Sequence, residues 1–135
     1  MKGQTLVEVI VVVAIVVILV TGIVSGTTVT LSQNKESQLR SNALQYAREG
    51  LEIVRFQRDQ GWEAFAALGD PPTVYCLGSS REFIASTGDC GTNILSTVFS
   101  RDVNMTLIGE SMLVLVNVGW GSDAVLLSQT FLKLD

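Results

Sequence analysis

Residues 3–26 read GQTLVEVIVVVAIVVILVTGIVSG, and no charged side chain follows Glu8 until Lys35. As helix, the uncharged run from Val9 to Asn34 spans about 39 Å, more than the roughly 30 Å hydrocarbon layer of a bilayer. Its apolar core is Val9 to Val20. A carboxylate inside such a segment costs about 2.5 to 3.5 kcal/mol at the bilayer centre and less near an end, so an acid retained there usually meets a partner. Glu8 is therefore the first candidate functional residue. The plainer reading makes it the interfacial start of an ordinary anchor, its carboxylate reaching back to water.

Lys2, Gly3, Thr5, Leu6, Val7 and Glu8, set directly before this apolar run, resemble the N-terminus of type IV pilin and type II secretion pseudopilin precursors. In that family a short basic leader and a glycine precede Phe-Thr-Leu-Ile-Glu and an apolar helix; here Gln4 stands where Phe is usual. The resemblance implies cleavage after Gly3 by a membrane prepilin peptidase, with Gln4 as the new, commonly N-methylated, first residue. It further implies that Glu8 pairs with the N-terminal amine of a neighbouring subunit during filament assembly. A new ammonium and a carboxylate are both costly in an apolar bundle, and mutual pairing offsets much of that cost. The implied partners are other pilin subunits, the prepilin peptidase, the assembly platform and, before assembly, the membrane itself. The implied location is the cytoplasmic membrane with the C-terminal domain outside the cytoplasm, then an extracellular or periplasmic filament.

Two competing readings of the N-terminus remain. A cleaved secretory signal peptide predicts a basic flank without Glu8, a shorter apolar region and an A-x-A-like site, none of which the sequence offers. A single-pass anchor that stays uncut, carrying an extracytoplasmic binding domain, fits the same apolar run. Charge bias does not orient the segment, since Lys2 precedes it while Lys35 and Arg40 follow.

With 135 residues, roughly a hundred beyond the apolar run form one small domain. The expected organisation is a leader over 1–3, a filament-core or transmembrane helix over 4–30, and a globular domain over 31–135. Within that domain the helix continues over about 31–60, a loop region covers 61–100, and a β-meander occupies about 101–135. The net charge of −4 gives no general attraction to nucleic acid. Cys76 and Cys90, in a stretch rich in Gly, Ser and Thr, fit one disulfide in an oxidising compartment, with two unlinked thiols as the alternative. The chain contains no histidine, so Ser79 or Ser80 lacks the commonest base for a nucleophile, and no metal or cofactor motif is present. Asp70 and Asp89 lack the ligand spacing of a calcium loop. The sequence therefore points to a structural subunit rather than an enzyme.

Between Leu31 and Arg58, Leu31, Leu39, Ala43, Tyr46, Ala47, Gly50, Ile53 and Val54 recur at helical spacing, and charged residues from Lys35 to Arg58 mark the opposite face. Glu36 stands four residues before Arg40, the favourable order for a helical pair. Gly50 on the apolar face predicts close approach to whatever covers it. The helix should end near Gly61. Gly22, Gly26 and the threonines around them lower helix propensity and predict a bend or local melting there, or else small residues packing against neighbours.

Trp62 to Leu68 allows a helical turn, Pro71 and Pro72 exclude helix, and Val74 to Leu77 reads as extended. Farther on, Val103, Met105 and Leu107 alternate with Asp102, Asn104 and Thr106, a strand with one buried face. Ser111 to Trp120 and Ala124 to Leu134 read as two more strands, joined by the turn residues Gly121 to Asp123. Together these give an α+β fold, a long N-terminal helix whose amphipathic half covers a small antiparallel sheet. That is also the pilin architecture. The segments Ala47 to Arg55 and Val116 to Trp120 resemble minor pilins of the PilV-like type.

Overall fold

The computed structural model describes residues 2–86 and 88–133, with side-chain surroundings given for 6–25, 33–86 and 88–133. Helix α1 runs over Lys2–Gln60 and a short α2 over Trp62–Ala66. Five strands follow: β1 Thr73–Leu77, β2 Phe83–Ser86, β3 Ser100–Ile108, β4 Ser111–Trp120 and β5 Asp123–Leu132. They form one antiparallel sheet in the order β2-β1-β3-β4-β5. By its contacts the chain separates into two compact units, Met1–Gln38 and Leu39–Asp135.

The expected helix end near Gly61 agrees with the structure. The melting expected around Gly22 to Thr30 does not, since α1 is helical without interruption there. The hydroxyls turn back onto the helix: Thr21 Oγ1 donates to the Val17 carbonyl at 2.7 Å and Ser25 Oγ to the Thr21 carbonyl at 3.0 Å. Such bonds weaken a helix slightly, and α1 is continuous in spite of them.

In the second unit, α1 presents Ala43, Ala47, Gly50 and Val54, all buried, at spacings of four, three and four. These small side chains let the helix lie close to the sheet face carrying Val103, Met105, Val114, Val116 and Val118. Gly50 marks the closest approach: a Cβ built there would sit 2.9 Å from Val116 Cγ1 and 3.1 Å from Arg101 Cδ. Leu31, placed on the same face by the sequence pattern, lies outside the residues whose side chains are described. At the far end Phe65 of α2 is fully buried and packs edge-on to Phe131, ring centres 5.8 Å apart, while the Arg58 guanidinium lies 5.4 Å from the centre of the Phe131 ring. The Tyr75 hydroxyl donates to the Leu68 carbonyl at 2.9 Å, tying β1 to the turn after α2.

The three C-terminal strands match the expected meander, β4 residue for residue and the third over Ala124–Leu132; Asp123, expected in the turn, joins β5, Lys133 lies beyond it, and Leu134 is outside the described residues. Each hairpin turn opens on a glycine at positive φ, Gly109 at 61° and Gly121 at 57°. That conformation at the first of two turn residues suits the right-handed twist of the strands.

One feature corrects the sequence reading and a second goes beyond it. The segment 61–100 is not a loop region throughout: β1 pairs with β3, and β2 adds to β1 with Cys76 opposite Ile84. Four residues are too few for alternation to announce a strand, and β2 forms because β1 supplies its hydrogen bonds. The second is Arg101, only 1% exposed on the inner face of β3 beside Val103. Its Nε donates to the Leu77 carbonyl at 2.9 Å, one terminal nitrogen to the Tyr46 carbonyl at 2.9 Å and to Glu49 at 3.3 Å, and the other to the Gly78 carbonyl at 3.2 Å. Burial pushes the guanidinium pKa down and Glu49 opposes the shift. Asn93 brackets the backbone of the same residue, accepting from its N–H and donating to its carbonyl, each at 2.8 Å.

Replacing Gly50 by alanine should lower the unfolding free energy of the domain. Overpacking costs about 1–3 kcal/mol and outweighs the roughly 1 kcal/mol gained in helix propensity. In a denaturant double-mutant cycle, Gly50→Ala should be less costly with Val116→Ala than with Val116 by about 1 kcal/mol. Additive effects would show that the helix does not touch β4 at this point.

Candidate functional site

From Leu6 to Ser25, α1 is long and apolar enough to cross a membrane, with a mean hydropathy of 3.2 and none of it buried in the protein. Val, Ile and Leu supply most of this surface, and even the large side chains stand open, Leu6 at 63% and Ile18 at 70% exposure. The Thr21 and Ser25 hydroxyls are turned to main-chain carbonyls, which makes the surface still less polar.

Glu8 lies on this helix, exposed, against an open groove with Val9, Val12 and Val13. Among the described residues no hydrogen-bond or ion-pair partner reaches its carboxylate. An exposed aliphatic surface of this length is unfavourable in water, and a carboxylate without a cation is unfavourable in lipid. The segment therefore needs an apolar surrounding, and Glu8, two residues inside its N-terminal end, needs either water or a positive group. Gly3 and Gln4 fall within the backbone span of α1, but their side-chain surroundings lie outside the described residues. Helical geometry puts the backbone nitrogen of Gln4 about 6 Å along the axis from that of Glu8, one turn toward the N-terminus.

The two cysteines anticipated from the sequence are joined, Cys76 to Cys90, with Cα atoms 5.4 Å apart. Cys76 is on β1, paired with Asp102 of β3, so the bridge fastens the loop after β2 to the sheet. Within that loop the Asp89 carboxylate accepts the Gly91 N–H at 3.1 Å. A cleft of about 260 Å³ separates Asp89, Gly91 and Thr92 from Ser100, Gly119 and Trp120. The Trp120 indole N–H is buried and has no acceptor among the described residues.

Sequence reading missed the role of Asp102, placed on the polar side of β3. Its carboxylate accepts Asn117 Nδ2 from the facing strand at 3.0 Å. Burial raises its pKa, the hydrogen bond from Asn117 lowers it, and nearby Asp89 adds to the rise. The alternation gives no hint of this, because the Asn117 partnership depends on the β3–β4 register.

A carboxyl whose pKa is raised by folding binds its proton more tightly in the folded than in the unfolded chain. The stability due to protonated Asp102 is complete below the ordinary carboxylate range and is lost as pH rises through the folded-state pKa. Asp102→Asn keeps an oxygen acceptor for Asn117 and removes the charge. It should therefore raise the melting temperature at pH 7, with the gain shrinking as pH is lowered into the acid range. A gain that grows on acidification would contradict this assignment.

Comparison with known proteins adds no relative: no protein-family model, no curated protein and no solved structure matches this chain.

Proposed function

We propose that this protein is a structural subunit of a filament of the type IV pilus class, in the role of a minor pilin. In this reading the Gly3–Gln4 peptide bond is hydrolysed on the membrane, Gln4 becomes the N-terminus and receives N-methylation, and the apolar helix moves from lipid into a bundle of like helices. Lipid and a helix bundle are both apolar, so that transfer changes the hydrophobic contribution little. What changes is the electrostatics. The ammonium created at Gln4 and the carboxylate of Glu8 stand one turn apart on each chain. A neighbour displaced by about 6 Å along the axis brings one against the other. Each charge then has its partner, and the displacement is fixed by the pairing.

The observation that carries the proposal is Glu8 itself, without a partner among the described residues, on an aliphatic helix exposed over Leu6–Ser25. The Gly-x-Thr-Leu-x-Glu sequence before that helix, the disulfide and the helix-on-sheet domain accord with it. A secretion pseudopilin would use the same chemistry in a short periplasmic filament.

The N-terminal residue and mass of the protein, taken from membrane and from sheared surface material of its native cells, test the proposal. A chain beginning at Gln4 in the sheared fraction, and at Met1 when the prepilin peptidase is deleted, is the expected result. Processed chain confined to the periplasm would shift the reading to a pseudopilin, and intact Met1 held in the membrane would leave an anchored domain.

Glu8→Gln should insert into the membrane as the parent does but enter sheared filaments at least about tenfold less, since a lost buried charge pair costs several kcal/mol. Equal incorporation would refute the pairing.

A further inference from the structure

The sheet has one covered face and one open face. Inward positions meet α1, whereas Asn104, Thr106, Leu113, Leu115, Leu126 and Ser128 face the other way on β3, β4 and β5, half-buried or exposed. Over all five strands the outward positions hold a single ionisable group, Asp102, already engaged by Asn117. The charges of the domain are elsewhere: Arg48, Glu49, Glu52, Arg55 and Arg58 are on the helix. An ordinary solvent-facing sheet surface carries lysines and glutamates, and depletion of charge is one mark of an interface core.

We propose that this outer face packs against the same face of a second copy, sheet on sheet. Strands of nine to ten residues rising about 3.3 Å per residue and spaced about 4.8 Å apart offer about 500 Å² per copy outside the disulfide-bridged loop. The pair would bury about 1,000 Å², the lower bound for a specific interface. Self-contact opposes no like charges apart from Asp102. The neutrality of the face does not depend on the proposed function.

Both native cysteines are in the disulfide, so an introduced cysteine is a single reactive thiol. The full chain in detergent micelles, carrying Leu113→Cys on the outer face or Glu52→Cys on the helix, is treated with a short bismaleimide. The expected result is a cross-linked dimer with Leu113→Cys and little with Glu52→Cys, unchanged when Glu8→Ala is added. Leu115→Glu and, separately, the more exposed Leu126→Glu should each reduce the Leu113→Cys dimer more than about tenfold, because each places two like charges in the contact. Equal cross-linking at both positions, or a dimer that survives both glutamates, overturns the sheet-face contact. Loss of the dimer with Glu8→Ala overturns it too, since association would then run through the N-terminal helix. Retention with Glu8→Ala, together with failure of Glu8→Gln to affect filaments, would separate this contact from the filament reading.

Discussion

The guanidinium of Arg101 occupies the place where helix, sheet and disulfide-bridged loop meet, and the arrangement of the domain follows from satisfying it. A buried arginine must give its donors to acceptors, or the cost exceeds that of leaving it in water. Here the acceptors are the Tyr46 carbonyl and Glu49 on the helix and the Leu77 and Gly78 carbonyls at the end of β1. One residue thus fixes the helix against β3 and the end of β1 against both. Asn93 fixes its backbone in turn, drawing in the chain beyond Cys90. Compared with an apolar residue of similar volume, a buried arginine paired with a half-exposed glutamate adds little net stability. Its consequence is positional, because few arrangements of these elements make all four of these hydrogen bonds at once.

Gly50 belongs to the same constraint. The Arg101 stem and Val116 occupy the space a side chain at position 50 would need, so the helix can descend to the height at which Tyr46 and Glu49 reach the guanidinium. Ala43 and Ala47 keep the next turns at that height. A helix face of Ala, Ala, Gly and Val contributes less apolar area than one of leucines, and the sheet supplies the larger side chains in compensation.

Much of this fold is legible in the sequence because its signals are local. Period-two alternation shows β3 and β4, the glycines at 109 and 121 mark their turns, and helical spacing picks out Ala43, Ala47, Gly50 and Val54. The close approach at Gly50 follows from a glycine on an apolar face. What stays hidden depends on distant partners. The short β2 exists through its pairing with β1, and Asp102 is half-buried through the register with Asn117. Arg101 is instructive: the alternation that puts Val103 and Met105 inside puts Arg101 inside as well, but a cation argues for the outside unless its carbonyl acceptors are already known. For the functional site the balance reverses. Glu8 is conspicuous in sequence because nothing charged is near it, and the folded chain still provides no partner for it among the described residues.

The protein leaves two surfaces uncovered, the aliphatic helix over 6–25 and the outer sheet face, and each contains one acid. The two acids differ in what they require. Asp102 has Asn117, whose hydrogen bond offsets part of the burial that raises its pKa. Glu8 has no partner among the described residues, and in the proposed function it finds its cation in another molecule. A contact through the neutral sheet face is held by shape and apolar area, and charge gives it no axial register. A contact through the helix is equally apolar over some twenty residues, and a smooth aliphatic surface alone would allow neighbours to slide. Under the proposed function, axial register between subunits comes from Glu8, and the complementary charge stands at a fixed distance from it. In that proposal, cleavage after Gly3 creates the charge one turn away, so that processing and register are a single event.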